Sequence, residues 1–156
     1  MGMEIERKFL VRNDSWRQGA AGVEYCQGYC PNDRGTIRVR RAGDCGYLTI
    51  KGKTSGFSRR EYEYAIPSAD AEALLELICV PPYIRKTRYR VEYRGKTWEI
   101  DVFAGENTGL ILAELELTRE DEPFELPPWT GAEVTGDPRY YNSQLAVHPF
   151  SRWDAE

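Results

Sequence analysis

The stretch Met3-Glu4-Ile5-Glu6-Arg7-Lys8-Phe9-Leu10-Val11 alternates charged and apolar side chains with a period of two. In an extended chain Glu4, Glu6 and Lys8 fall on one side, and Ile5, Phe9 and Val11 on the other. Alone, such a segment reads as a half-buried strand that wets its polar face. The same arrangement recurs downstream with complementary charges. Residues 36–40 set Arg38 and Arg40 opposite Ile37 and Val39, and residues 47–51 set Thr49 and Lys51 opposite Leu48 and Ile50. Arg59, Glu61 and Glu63 oppose Arg60, Tyr62 and Tyr64, and Lys86 shares a side with Arg88. Glu99 and Asp101 alternate with Trp98, Ile100 and Val102; Glu114 and Glu116 alternate with Ala113, Leu115 and Leu117. Repetition of paired charges of both signs implies that the charged faces look at each other.

The chain has 156 residues, enough for one domain over residues 1–156 with a substantial core. Twenty-one Lys plus Arg against twenty-five Asp plus Glu leave a net charge of -4. Bulk charge therefore does not attract polyanions, and any affinity for phosphate must come from local clustering of Lys and Arg. The same balance argues against an extended nucleic-acid surface. No apolar run reaches the length of a membrane span and no signal-peptide core opens the chain, so a soluble cytoplasmic protein without a membrane partner is expected. Composition leaves the oligomeric state open, a homodimer included. Cys26, Cys30, Cys45 and Cys79 are scattered and are expected to stay reduced. With a single histidine, His148, neither a zinc site nor a Ser-His-Asp mechanism is favoured; His148 is expected to mark a helix end. The loop from Gly52 to Gly56 lacks the Walker spacing.

Punctuation divides the rest. Further strands are expected over residues 24–29, with Tyr25, Gln27 and Tyr29 on one side, and over 84–93, 96–103 and 109–118, with Arg94-Gly95-Lys96 as a tight turn. The clearest helix begins after Pro67, with Ser68 as its N-cap, Leu74, Leu75, Leu77 and Ile78 as its apolar side, and Pro81-Pro82 as its stop. Residues 121–129 read as mixed and proline-rich, with one helical turn. Asp137-Pro138 opens a last helix running through Arg139, Tyr140 and Leu145 to about Val147. About eight mainly antiparallel strands can close into a barrel, which removes unpaired edges. If the charged sides face in, Ile5, Phe9, Ile37, Val39, Leu48, Ile50, Ile100, Val102, Leu115 and Leu117 face out and need covering. The fold class expected is thus β-dominated α+β: an eight-stranded antiparallel closed tunnel barrel with a charged, hydrated lumen and helices packed outside.

Burying so many charges costs several kcal/mol per ion, of order, unless partners are present. Mutual neutralisation across the lumen is one outcome. The set has a second use. Glu4, Glu6, Asp101, Glu114 and Glu116 are hard oxygen donors suited to Mg²⁺ or Mn²⁺. Lys8, Arg38, Arg40, Lys51, Arg59, Lys86 and Arg88 can grip phosphate oxygens, the arginines bidentately. Metal ligands beside phosphate clamps describe a site for a metal-bound polyphosphate.

The chain resembles the CYTH superfamily, or triphosphate tunnel metalloenzymes. The likeness rests on Glu4-x-Glu6-x-Lys8, Gln27-Gly28-Tyr29, Arg38-x-Arg40, Leu48-Thr49-Ile50-Lys51, Arg59-x-Glu61-x-Glu63, Lys86-x-Arg88, Glu99-x-Asp101 and Glu114-x-Glu116. Val134-Thr135 and residues 139–146 resemble the family's C-terminal end. The resemblance implies a small-molecule triphosphate substrate, divalent metal, and hydrolysis of inorganic tripolyphosphate to pyrophosphate and orthophosphate, as in short bacterial members. Nucleoside or thiamine triphosphatase, class IV-type adenylate cyclase and a non-catalytic polyphosphate-binding module are the alternatives. It implies that Tyr29, Lys8 and Lys86 are catalytic, Tyr29 as proton acceptor and the two lysines acting with the other cations on the phosphates, and that Glu61 and Glu63 orient cations or assist the metal. Trp16, Trp98, Trp129 and Trp153 are expected to be packing or surface aromatics.

Overall fold

The computed structural model describes residues 2–30, 32–53, 55–56 and 58–155. The strands are β1 (Gly2–Val11), β2 (Gly22–Cys30), β3 (Thr36–Ala42), β4 (Cys45–Lys51), β5 (Ser58–Ile66), β6 (Ile84–Tyr93), β7 (Lys96–Phe103), β8 (Ile111–Glu116) and β9 (Thr130–Glu133). The helices are α1 (Ser68–Ile78) and α2 (Asn142–Val147), with short 3₁₀ turns between elements. The sheet order is β5-β4-β3-β2-β6-β7-β8-β1, and a β5–β1 pairing closes it into an eight-stranded antiparallel barrel.

β1 is the closing strand because it is long enough to serve several partners. Its first residues pair with β5, placing Glu4 opposite Arg59. Its middle pairs with β8, placing Glu6 opposite Glu116 and Lys8 opposite Glu114. Its last residues pair irregularly with β9, the one strand that the alternation does not announce. β9 reads Thr-Gly-Ala-Glu and follows Pro127-Pro128, so it carries no apolar period to detect. Tight turns set the register elsewhere. Between β6 and β7, Tyr93 faces Lys96 across Arg94 and Gly95, both at positive φ (50° and 81°), which is the two-residue hairpin whose twist matches its strands.

The apolar sides face out, and helices cover only part of them. Val39 is buried under Ala71, Leu75 and Cys79 of α1 and the residue after it. α1 can lie this close because residue 28 is glycine: a Cβ there would stand 2.8 Å from the Cys79 Cβ. Only one stripe of α1 docks. Ala71 and Leu75 are buried, Leu77 and Ile78 are exposed, and Pro67 rather than Ser68 holds the N-cap position. The outer faces of β1, β7 and β8 are covered instead by connecting segments. Ile5, Phe9, Ile100, Leu115 and Leu117 pack with Trp98 against Trp16, Trp129 and Phe124. Ile50 stays 42% exposed.

The second departure concerns the last helix. Pro138–Tyr140 forms a 3₁₀ turn, with the Asp137 side chain accepting from the Arg139 N–H. The chain then straightens at Tyr141 and restarts as α2, which ends at His148. α2 does not lie on the barrel wall. Following the inward parity past the charges, Lys8 gives way to Leu10, Glu114 to Leu112, Lys86 to Ile84 and Asp101 to Phe103. Those apolar residues pack with Tyr140, Leu145 and Ala146, with Phe150 and Trp153 alongside. The lumen is therefore charged toward one mouth and stoppered with apolar side chains at the other end. Trp16, Trp98 and Trp129 are buried packing residues.

Candidate active site

A cavity of about 430 Å³ occupies the barrel interior. The pleat brings nearly every charged residue singled out from the sequence to its wall: Glu4, Glu6 and Lys8 from β1, Arg38 and Arg40 from β3, Lys51 from β4, Arg59, Glu61 and Glu63 from β5, Lys86 and Arg88 from β6, Glu114 and Glu116 from β8, and Tyr29 from β2. Asp101 is the exception. It is 1% exposed and lies behind the wall, where Lys86 Nζ donates to Oδ2 at 2.8 Å and Arg88 Nε to Oδ1 at 2.7 Å. Burial alone would raise its pKa, but Arg88 and Lys86 hold the carboxyl well below the usual carboxylate range. With its oxygens committed to two cations, Asp101 is a counter-ion in this structure and not a free metal donor.

Most of the remaining charges are also paired. Glu4 accepts from Lys51 Nζ at 2.8 Å and from Arg59 Nε at 3.2 Å. Glu114 lies 3.2 Å from Lys8 Nζ and 3.3 Å from Arg88 Nη2. Against the burial that would raise it, Lys8 and Arg88 keep its pKa at about 2. Glu61 sits 3.5 Å from Lys51 and Glu63 3.3 Å from Arg38, so both contact cations directly. Arg88 also meets Glu99, a wall residue that the sequence pattern sets beside Asp101 without assigning it a metal or phosphate role.

Three charged groups on the wall lack an opposite partner among the described residues. Glu6 and Glu116 stand opposite each other in the β1–β8 register, and neither forms an ion pair. Burial first, then Glu114 and Glu4, push the Glu6 carboxyl up to about 7. Glu116 is raised in the same way, by burial and then by Glu4, Glu61 and Glu99. On the opposite wall Arg40 has no carboxylate partner. Burial, then Arg38 and Arg88, bring its pKa down to about 10. Nearby, the buried Arg38 Nε has no hydrogen-bond partner among the described residues.

The stoppered end contributes atoms that the strand pattern cannot supply. Lys8 Nζ donates to the Tyr140 carbonyl at 3.1 Å, and Lys86 Nζ donates to Asn142 Oδ1 at 3.0 Å. These acceptors point into the lumen because the helix breaks at Tyr141. No local signal marks them, since their role depends on where the C-terminal segment docks. Burial foremost, and then Arg88 and Arg40 against the opposing Asp101, bring Lys86 down to about 7. Tyr29 moves the other way: burial raises its pKa above the ordinary phenol value, despite Arg38 and Arg40, and its hydroxyl accepts from Gln27 Nε2 at 2.8 Å.

As the side chains stand, no three acidic, histidine or cysteine groups among the described residues cluster tightly enough to cage a metal ion. The donor chemistry nonetheless fits a hard divalent cation. Two unpaired carboxylates face each other beside Glu4 and Glu114, and Mg²⁺ takes one or two carboxylates together with substrate phosphates rather than a complete protein cage.

Comparison with known proteins agrees with this architecture. Residues 2–141 match the CYTH domain. The chain is 50% identical to an inorganic triphosphatase of Acetivibrio thermocellus, over 98% of this chain and 99% of that one. It is 40% identical to an inorganic triphosphatase of Nitrosomonas europaea, over 92% and 97%. Among solved structures, the crystal structure of an inorganic triphosphatase superposes with a TM-score of 0.68 at 37% identity, covering 94% of this chain and 96% of that one. A Hippeastrum protein described as a putative adenylyl cyclase with dominant triphosphatase activity shares the fold, with a TM-score of 0.54 at 15% identity over 74% of this chain and 80% of that one.

Proposed function

The chain belongs to the CYTH domain family, and from that premise we propose that its lumen hydrolyses inorganic tripolyphosphate, water attacking a terminal phosphorus to give orthophosphate and pyrophosphate. The observation that carries this reading is the residual charge of the lumen. After every ion pair is counted among the described residues, Arg40 is left over on one wall and Glu6 and Glu116 on the other. A cation without a carboxylate asks for an anion, and unpaired facing carboxylates ask for a cation. A metal-escorted triphosphate supplies both.

In this reading Arg38, Arg40, Lys8 and Arg88 hold the phosphates, with Lys51 and Arg59 nearer the Glu4 side. These cations offset charge that develops on the leaving pyrophosphate. Glu6 and Glu116, with Glu4 and Glu114 beside them, hold Mg²⁺ or Mn²⁺, which when bound shields the phosphate oxygens and polarises the phosphorus. Glu61 and Glu63 orient Lys51 and Arg38. Lys86 takes the proton of the attacking water. With a pKa of about 7 it has a substantial neutral fraction at neutral pH, and Asp101 and Asn142 fix its nitrogen. Tyr29, whose proton burial retains, serves as a hydrogen-bonding wall residue.

The test is orthophosphate release from tripolyphosphate, ATP and thiamine triphosphate, each with Mg²⁺, Mn²⁺ or chelator. Tripolyphosphate with metal should be cleaved fastest and chelator should stop the reaction. Cyclic AMP as the main product from ATP would transfer the reading to a cyclase. Absence of turnover on all three would leave a binding module.

A further inference from the structure

Arg40 is held unlike the other lumen cations. Lys8, Arg38, Lys51, Arg59, Lys86 and Arg88 each lie within ion-pair distance of a carboxylate. Arg40 instead donates from Nε to the Gln27 amide oxygen at 2.8 Å, and its guanidinium carbon lies 4.8 Å from the centre of the Tyr25 ring. The register explains both contacts. β2 lies between β3 and β6, with Gln27 opposite Arg40 on one side and Tyr25 opposite Lys86 on the other. The Gln27 amide cannot reverse at no cost. Its nitrogen donates to the Tyr29 hydroxyl at 2.8 Å and to Asn142 Oδ1 at 3.3 Å, and that oxygen already accepts from Lys86. The oxygen must therefore face Arg40. The Tyr25 ring has further cations against it, Arg88 at 5.1 Å and Lys86 at 5.8 Å.

We propose that Tyr25 and Gln27 are positioning residues that fix the Arg40 guanidinium on the lumen wall through neutral contacts, leaving its charge free for a phosphate of the substrate. A carboxylate would hold Arg40 more strongly, but it would also compete with the phosphate for the same N–H donors. An amide oxygen sets one donor in place without neutralising it. The aromatic face attracts the cation through its quadrupole and also separates guanidinium and ammonium groups that repel one another. The proposal rests on the reading of the lumen as a tripolyphosphate site, so it depends on binding of that anion but not on its hydrolysis.

The test compares steady-state kinetics of Tyr25→Leu, Tyr25→Phe and the parent, with folding checked by thermal melts. Tyr25→Leu should raise KM for tripolyphosphate about tenfold, the scale of one lost cation–π contact in a desolvated site, with kcat within about threefold. Tyr25→Phe, which keeps the ring, should stay within about twofold of the parent. In an Arg40→Gln background the Leu substitution should add less than about threefold, because the group it positions is gone. Equal losses for Leu and Phe, an unchanged KM in Tyr25→Leu, or a full additional loss without Arg40 would each overturn the proposal. If the parent releases no orthophosphate, calorimetric titration with tripolyphosphate and Mg²⁺ separates the two ideas. Binding that Tyr25→Leu weakens tenfold would defeat hydrolysis and sustain the positioning role; no binding by the parent would defeat both.

Discussion

Glu6 illustrates how one side chain can oppose the fold and serve the site. Its carboxyl holds its proton up to about 7, against an ordinary 4.5. The folded chain therefore keeps a proton that the unfolded chain has lost. The stabilisation this gives is complete below pH 4.5 and disappears as the pH rises through 7. Glu6→Gln should accordingly melt higher than the parent at pH 8 in chelator, by a few degrees and on the order of 1–2 kcal/mol, with little difference at pH 4.5. The measurement is a pair of thermal melts, and equal melting points at pH 8 would contradict the unpaired-acid reading. Lys86 makes a second prediction. Arginine keeps the charge but does not give up its proton. Lys86→Arg should therefore lower kcat by about 10²–10⁴-fold, with KM within about threefold, in the phosphate-release assay.

At the scale of elements, β2 does double duty. Its inner side carries Tyr25, Gln27 and Tyr29, while its outer side receives α1. Gly28 is where these tasks meet. A Cβ at that position would stand 2.8 Å from Cys79 Cβ and 3.0 Å from Leu75 Cδ2. Gly28→Ala should push α1 away and cost about 1–3 kcal/mol in urea unfolding. It should also raise KM, because Gln27 and Tyr29 are its chain neighbours. Periodicity located α1 but not its phase, placing Leu77 and Ile78 in the apolar side although both are exposed. The barrel admits one stripe, Ala71 and Leu75, with Cys79 following, and the sequence does not state how narrow the docking seat is. It likewise merged the 3₁₀ turn and α2, because the break at Tyr141 depends on the barrel end that α2 closes.

For the molecule as a whole, stability and substrate affinity are linked through the lumen. A ligand that binds only the folded barrel raises its stability by about 2.7 kcal/mol at a hundred times Kd. In Lys86→Arg, expected to bind without rapid turnover, tripolyphosphate with Mg²⁺ should raise Tm by several degrees in a thermal-shift assay. Tripolyphosphate in chelator should raise it less, and orthophosphate hardly at all. The sequence by itself determined which side chains turn inward, because strand parity is local: Glu4, Glu6 and Lys8 share a side by spacing alone. It also supplied the signs of the charges and, through their repetition, the hollow barrel. Tertiary structure alone decided which charges cancel. Lys51 reaches Glu4 across the β1–β5 closure, Asp101 retreats behind Lys86 and Arg88, and Arg40 is left with an amide and a ring. Ion pairing depends on distances of a few ångströms between residues far apart in sequence. Register and closure set those distances, and no single strand contains them.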